Sequence, residues 1–74
     1  MNRSYRLPSG DLIFVFDSQS PDYPPWRIGT VKNNKSEKSI VTFPPFRNVR
    51  FITEVDALIA LQRYAAANGL EPAY

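Results

Sequence analysis

The sequence predicts an α+β fold: a small antiparallel sheet of three or four strands with one C-terminal helix packed on one face. Three observations carry that expectation. Short apolar runs separated by polar or proline-rich connections fill residues 11 to 52. A helical segment with a start and a stop signal fills 53 to 69. The 74 residues make one domain, near the lower limit of what a single hydrophobic core supports.

Ser9-Gly10-Asp11 is a turn signal, and the first strand, 11–17 (DLIFVFD), follows it. Alternation puts Leu12, Phe14 and Phe16 on one face and Ile13 and Val15 on the other. Both faces are apolar, so this strand is expected to be central and covered at least partly on both sides. SQSPDYPP is a loop. WRIGTVK gives a strand at about 26–32 and KSIVTF another at about 38–43, joined by a polar connection of hairpin length. Pro44-Pro45 stops the latter, because proline cannot donate to a ladder. FRNVRFI, 46–52, is the candidate fourth strand.

The helix is expected over about 54–68. Thr53 is an N-cap, Asp56 three residues on gives a variant capping box, and Glu54 and Asp56 place negative charge at the positive end of the helix dipole. Asn68-Gly69 stops it, with Leu70 folding back onto the last turn. At 100° per residue, Val55, Leu58, Ile59, Leu61, Ala65 and Ala66 form the stripe expected to face the sheet. Ala57, Ala60, Tyr64 and Ala67 are then expected outside, a small apolar surface around one tyrosine.

One pentapeptide pattern occurs twice: YPPWR (Tyr23 to Arg27) and FPPFR (Phe43 to Arg47). Each proline pair is expected to hold an extended, polyproline-like ramp that leads into a strand. Tyr23 with Trp26, and Phe43 with Phe46, would project from one side. The rings either cap the core or form a docking platform beside Arg27 and Arg47.

Residue chemistry argues against catalysis. Without histidine there is no common general base for neutral pH, and without cysteine no thiolate nucleophile or thiolate metal site. The carboxylates sit singly at turns and at the helix start. Asp11 and Asp17 would be roughly 20 Å apart at ~3.3 Å per residue, too far to cooperate. No cofactor, metal or catalytic residue is expected. The longest apolar run, Leu12 to Phe16, falls far short of the ~20 residues that span a bilayer. With no apolar core near the N-terminus to act as a secretion signal, the expected setting is cytoplasmic, without membrane contact.

Charge is uneven. Between residues 27 and 50 six basic residues (Arg27, Lys32, Lys35, Lys38, Arg47, Arg50) face one acid, Glu37. A sheet followed by a helix occurs in modules that read DNA with strands, so this segment, with its interleaved aromatics, is a candidate nucleic-acid surface. Alternation, however, sends Arg27 and Lys32, and likewise Arg47 and Arg50, to opposite faces. The first expectation is therefore a non-catalytic binding protein that docks onto a protein or larger assembly. Its contact candidates are Tyr23, Trp26, Phe46 and Arg47 on the ramps and Ala60, Tyr64 and Ala67 on the helix, where self-association is also open. Nucleic-acid binding through segment 27–50 is the alternative.

Overall fold

Strands β1 (Ser4–Arg6), β2 (Leu12–Asp17), β3 (Trp26–Asn33) and β4 (Lys38–Thr42) are followed by a 3-10 turn (Pro44–Phe46), helix α1 (Glu54–Asn68) and strand β5 (Glu71–Pro72). This computed structural model describes residues 3–19, 24–33 and 38–73, excepting the side chains of 32, 33, 38 and 39. All strands join one antiparallel sheet in the order β4-β3-β2-β1-β5, with α1 lying against β2 and β3. The fold is the expected α+β with a C-terminal helix.

The sheet has five strands rather than three or four. β1 pairs with β2 from Ser4↔Phe14 to Arg6↔Leu12, and β5 adds two residues outside β1. Neither is long enough to show a period of two in the sequence. The candidate strand at 46–52 shrinks to a single bridge. After Thr42 the chain leaves the edge of β3, turns through Pro44–Phe46, and returns only at Phe51, which exchanges two backbone hydrogen bonds with Trp26 (3.2 and 2.8 Å).

From the first proline onward, the two pentapeptides therefore adopt different structures. Phe43 is extended (φ −89°, ψ 125°), as a residue before proline should be. Pro44 and Pro45 then enter a 3-10 turn instead of a ramp, with the Phe46 and Arg47 amides donating to the Phe43 and Pro44 carbonyls. Proline's fixed φ suits the start of a helical turn as well as an extended segment, so the dipeptide does not choose between them. In the first copy, Pro25 precedes β3 and its carbonyl accepts from the Ser18 amide and hydroxyl at 2.9 and 2.8 Å.

The helix termini follow the residues that signal them. Thr53 Oγ accepts from the Asp56 amide at 3.2 Å. Gly69 takes the left-handed conformation (φ 64°, ψ 31°), and the Gly69 and Leu70 amides close on the Ala66 and Ala65 carbonyls.

The helix is rotated from its expected setting. Ala57, Leu58, Leu61 and Ala65 are buried against Tyr5, Ile13, Val15 and Ile28. Val55 is 57% exposed, Ile59 37%, and Ala66 is also exposed. The segment is apolar nearly all round, so its periodicity admits more than one inward face. The aromatics following β4 favour this one: Phe43 and Phe46 both meet Tyr64 edge-on at 5.5 Å.

Gly29 shows how tightly the other side of β3 is filled. A Cβ there would lie 2.7 Å from Phe16 Cε1, 3.0 Å from the Val41 carbonyl oxygen and 3.2 Å from Ile40 Cγ2. Gly29→Ala should therefore cost about 1–3 kcal/mol of stability by overpacking, read as a fall in the urea midpoint. An unchanged midpoint would show that Phe16 swings aside freely.

Candidate docking surfaces

The expected ramp residues lie at the margin of the core. Trp26, Phe43, Phe46 and Phe51 are half-buried and pack against it, with Ala60 and Tyr64 of α1. Ala67 is exposed. Tyr23 lies outside the described residues. Phe46 and Tyr64 share a ring cluster with Phe43 between the 3-10 turn and the helix, and Trp26 and Ala60 pack against the core, so each already has partners within the chain.

The basic segment does not gather into one patch. One Arg27 guanidinium nitrogen donates to the Arg47 carbonyl at 2.6 Å, while the Arg27 Nε is buried with no hydrogen-bond partner among the described residues. Arg50 donates to the Pro24 carbonyl at 3.3 Å. Arg27 thus joins the first copy of the motif to the backbone of the second, and Arg50, three residues beyond the second copy, reaches back to the first. Arg47 is exposed. Lys32 and Lys38 occupy adjacent rungs of the β3–β4 ladder, opposite Ser39 and Asn33, and Lys35 lies outside the described residues.

Two apolar surfaces emerge that hydrophobic periodicity alone does not single out. The first is on the helix side. Of the five large hydrophobic residues exposed among those described, four lie between residues 49 and 59: Val49, Ile52, Val55 and Ile59. Val55 and Ile59 are one turn apart on the outer side of α1, with Ile52 just before the N-cap and Ala66 two turns on. Asp56 and Arg63, both exposed, flank this stripe. Near its start, Arg3 pairs with Glu54 through two contacts of 2.9 and 2.8 Å. The signal was present in the sequence as a helix with more apolar positions than one face can bury.

The second surface is the sheet face opposite the helix. Ile13, Val15 and Ile28 point into the core, so Leu12, Phe14 and Phe16 of β2 point the other way, with Val31 of β3 and its ladder partner Ile40 of β4. Leu12, Phe14, Phe16 and Val31 are half-buried, and Ile40 is 52% exposed. The Phe14 and Phe16 rings stand 5.9 Å apart, tilted by 53°. β2 is central in the sheet, and its outer side chains are half-buried, although no helix or strand among the described residues lies over this face.

An open cleft of about 250 Å³ lies between Arg6, Leu7 and Pro8 at the end of β1 and Asn68, Gly69 and Leu70 at the end of α1. Among the described residues no three acidic, histidine or cysteine side chains gather as a metal site, and no helix is long and apolar enough to cross a membrane. Against protein-family models, curated proteins and solved structures, the chain shows no significant match.

Proposed function

We propose that this protein is a non-catalytic binding module, acting as an adaptor, subunit or inhibitor, that docks onto a protein partner through the outer stripe of α1. The observation that carries the reading is the concentration of exposed apolar side chains at Ile52, Val55 and Ile59 (60%, 57% and 37% exposed). A solvated helix face ordinarily carries charge, and contiguous apolar patches on small proteins mark contact sites. Fully burying one aliphatic side chain of this size contributes about 1.5–3 kcal/mol, so three partly exposed ones can form the centre of an interface. Asp56, Gln62 and Arg63 supply the polar rim that such centres have. The partner this fits presents its own apolar helix stripe or strand, laid along α1. A cytoplasmic setting suits a chain without cysteine.

The alternative, nucleic-acid binding through 27–50, has less support. Arg27 and Arg50 already donate to backbone carbonyls within the chain, which leaves fewer cations for phosphates.

The test uses wild type and the double variant Val55→Glu/Ile59→Glu as parallel baits, followed by titration of each recovered protein in purified form. The expected result is a partner whose affinity falls about 100-fold or more in the variant, about 2.8 kcal/mol at about 1.4 kcal/mol per tenfold. Equal affinity for both forms contradicts the assignment of this stripe.

A further inference from the structure

We propose that the open sheet face binds a single strand of nucleic acid, with Phe14 and Phe16 as stacking rings and Arg6, Arg27 and Lys38 as phosphate contacts. This face lies across the sheet from the helix stripe and shares no residue with it, so the inference stands apart from the partner assigned there. It also differs from the basic segment 27–50 as a whole, because Arg6 comes from outside that segment and Arg50 takes no part. Alternation places the rings. Ile13 and Val15 turn into the core, so Phe14 and Phe16 project together from the central strand, 5.9 Å apart. Phe14 stands opposite Gly29, and a Cβ on that glycine would lie 2.7 Å from Phe16 Cε1. Phe16 therefore leans over a rung without a side chain, and the sheet covers one side of a ring that is half-buried overall. No helix or strand among the described residues covers the other side. A ring supported on one side and open on the other is what a base stacks on.

Charge identifies the occupant. The ladder register sets Arg27 opposite Phe16, at one end of the ring pair. Towards the other end it sets Arg6, which is exposed, opposite Leu12, and the Lys38 position two residues from Ile40 on β4. Against these three basic residues the described strands set one acid on this face, Glu71, opposite Arg6. The Arg27 bond to the Arg47 carbonyl uses one of the five N–H donors of a guanidinium and leaves its charge in place. A purely apolar partner gains nothing from cations at both ends of an aromatic pair. A nucleic-acid strand supplies phosphates and stackable bases together. With neighbouring strands about 4.8 Å apart, β1 and β4 lie roughly 14 Å apart, a width that about four nucleotides cover at ~3.4 Å each. A duplex keeps its bases paired and stacked inside, out of reach of the two rings, so the occupant is single-stranded. A chain occupied on both sides joins that strand to the protein held on α1.

Fluorescence anisotropy of a labelled oligothymidine of about ten nucleotides, titrated with the full chain, decides the proposal. Wild type is expected to bind in the micromolar range at about 50 mM salt. With about two or three phosphate contacts, its affinity should fall about 7- to 18-fold at about 200 mM. A duplex of the same length should bind at least about tenfold more weakly, because its bases cannot reach the rings. Phe14→Leu keeps the apolar bulk and removes the ring, so its affinity should fall about fivefold or more. Arg6 is exposed, so Arg6→Gln should keep the wild-type far-ultraviolet circular dichroism. That variant should bind more weakly and flatten the logarithmic salt slope by about 0.7, and it is decisive alone if Phe14→Leu fails to fold. Wild type that binds no oligonucleotide at about 50 mM salt overturns the proposal, even where this face captures a protein instead. Equal affinity for duplex and single strand overturns it too. So does binding that survives Phe14→Leu and Arg6→Gln and is lost with Arg50→Gln, because the contact then belongs to the segment 27–50. Failure of this titration leaves docking through Val55 and Ile59 standing, since no helix-stripe partner enters it.

Discussion

Leu61→Ala is expected to lower the free energy of unfolding by about 2–5 kcal/mol. Leu61 has no exposed surface and lies where α1 crosses the sheet, between Ala57 and Ala65 on one side and Ile13 and Ile28 on the other. Small neighbours such as Ala57 and Ala65 cannot reach into the space a lost leucine leaves, so the cavity stays and the cost falls toward the upper part of that range. At roughly 0.05–0.15 kcal/mol per residue, the whole domain holds only about 4–11 kcal/mol. The variant should therefore unfold at low urea or be partly unfolded without it, as read by far-ultraviolet circular dichroism. A midpoint near wild type would mean that the helix presents a different side to the sheet.

Tyr64→Ala should cost about 2–4 kcal/mol and disturb the segment after β4 as well as the helix. Tyr64 receives Phe43 and Phe46 edge-on, each 5.5 Å away, and those rings stack with each other at 6.5 Å. Removing the tyrosine deprives the 3-10 turn of its packing partner. That turn lies beside Arg47, whose carbonyl holds Arg27, so the junction of the two proline loops should loosen too. The expected readout is a lower urea midpoint together with a loss of the near-ultraviolet aromatic signal. Full stability in this variant would return Tyr64 to the surface, as the helical periodicity first places it.

The elements written in local signals were legible in the sequence. Thr53 and Asp56 mark the start of α1 and Asn68-Gly69 its end, because capping depends on a few adjacent residues. The alternation in 11–17 and the apolar runs at 26–32 and 38–43 give the central strands. β1 and β5 were not legible, since three and two residues carry no period and owe their strand geometry to tertiary pairing. The orientation of α1 was not legible either. With alanine, valine, isoleucine or leucine at most positions, hydrophobicity cannot say which side turns inward, and the Tyr64 contacts with Phe43 and Phe46 require the fold to be known. The same ambiguity hid the candidate site. Placing Val55 and Ile59 inward made Ala60, Tyr64 and Ala67 the contact residues; turning the helix exposes Val55 and Ile59 and packs Ala60 and Tyr64 against the core. The proline pairs misled for a related reason, since a fixed φ fits both an extended ramp and the first turn of a 3-10 helix.

Docking through α1 requires Val55 and Ile59 to be spare to the fold and available to a partner, and urea unfolding of Val55→Glu/Ile59→Glu tests that most directly. Glutamate is a better helix former than either β-branched residue. At position 55 it adds negative charge to the first turn, and at 59 it stands four residues before Arg63 in the favourable orientation. The expected stability lies within about 0.5 kcal/mol of wild type or slightly above it, as for surface positions generally. A loss of several kcal/mol, comparable to that of Leu61→Ala, would place these side chains in the core and remove the helix stripe as a docking surface.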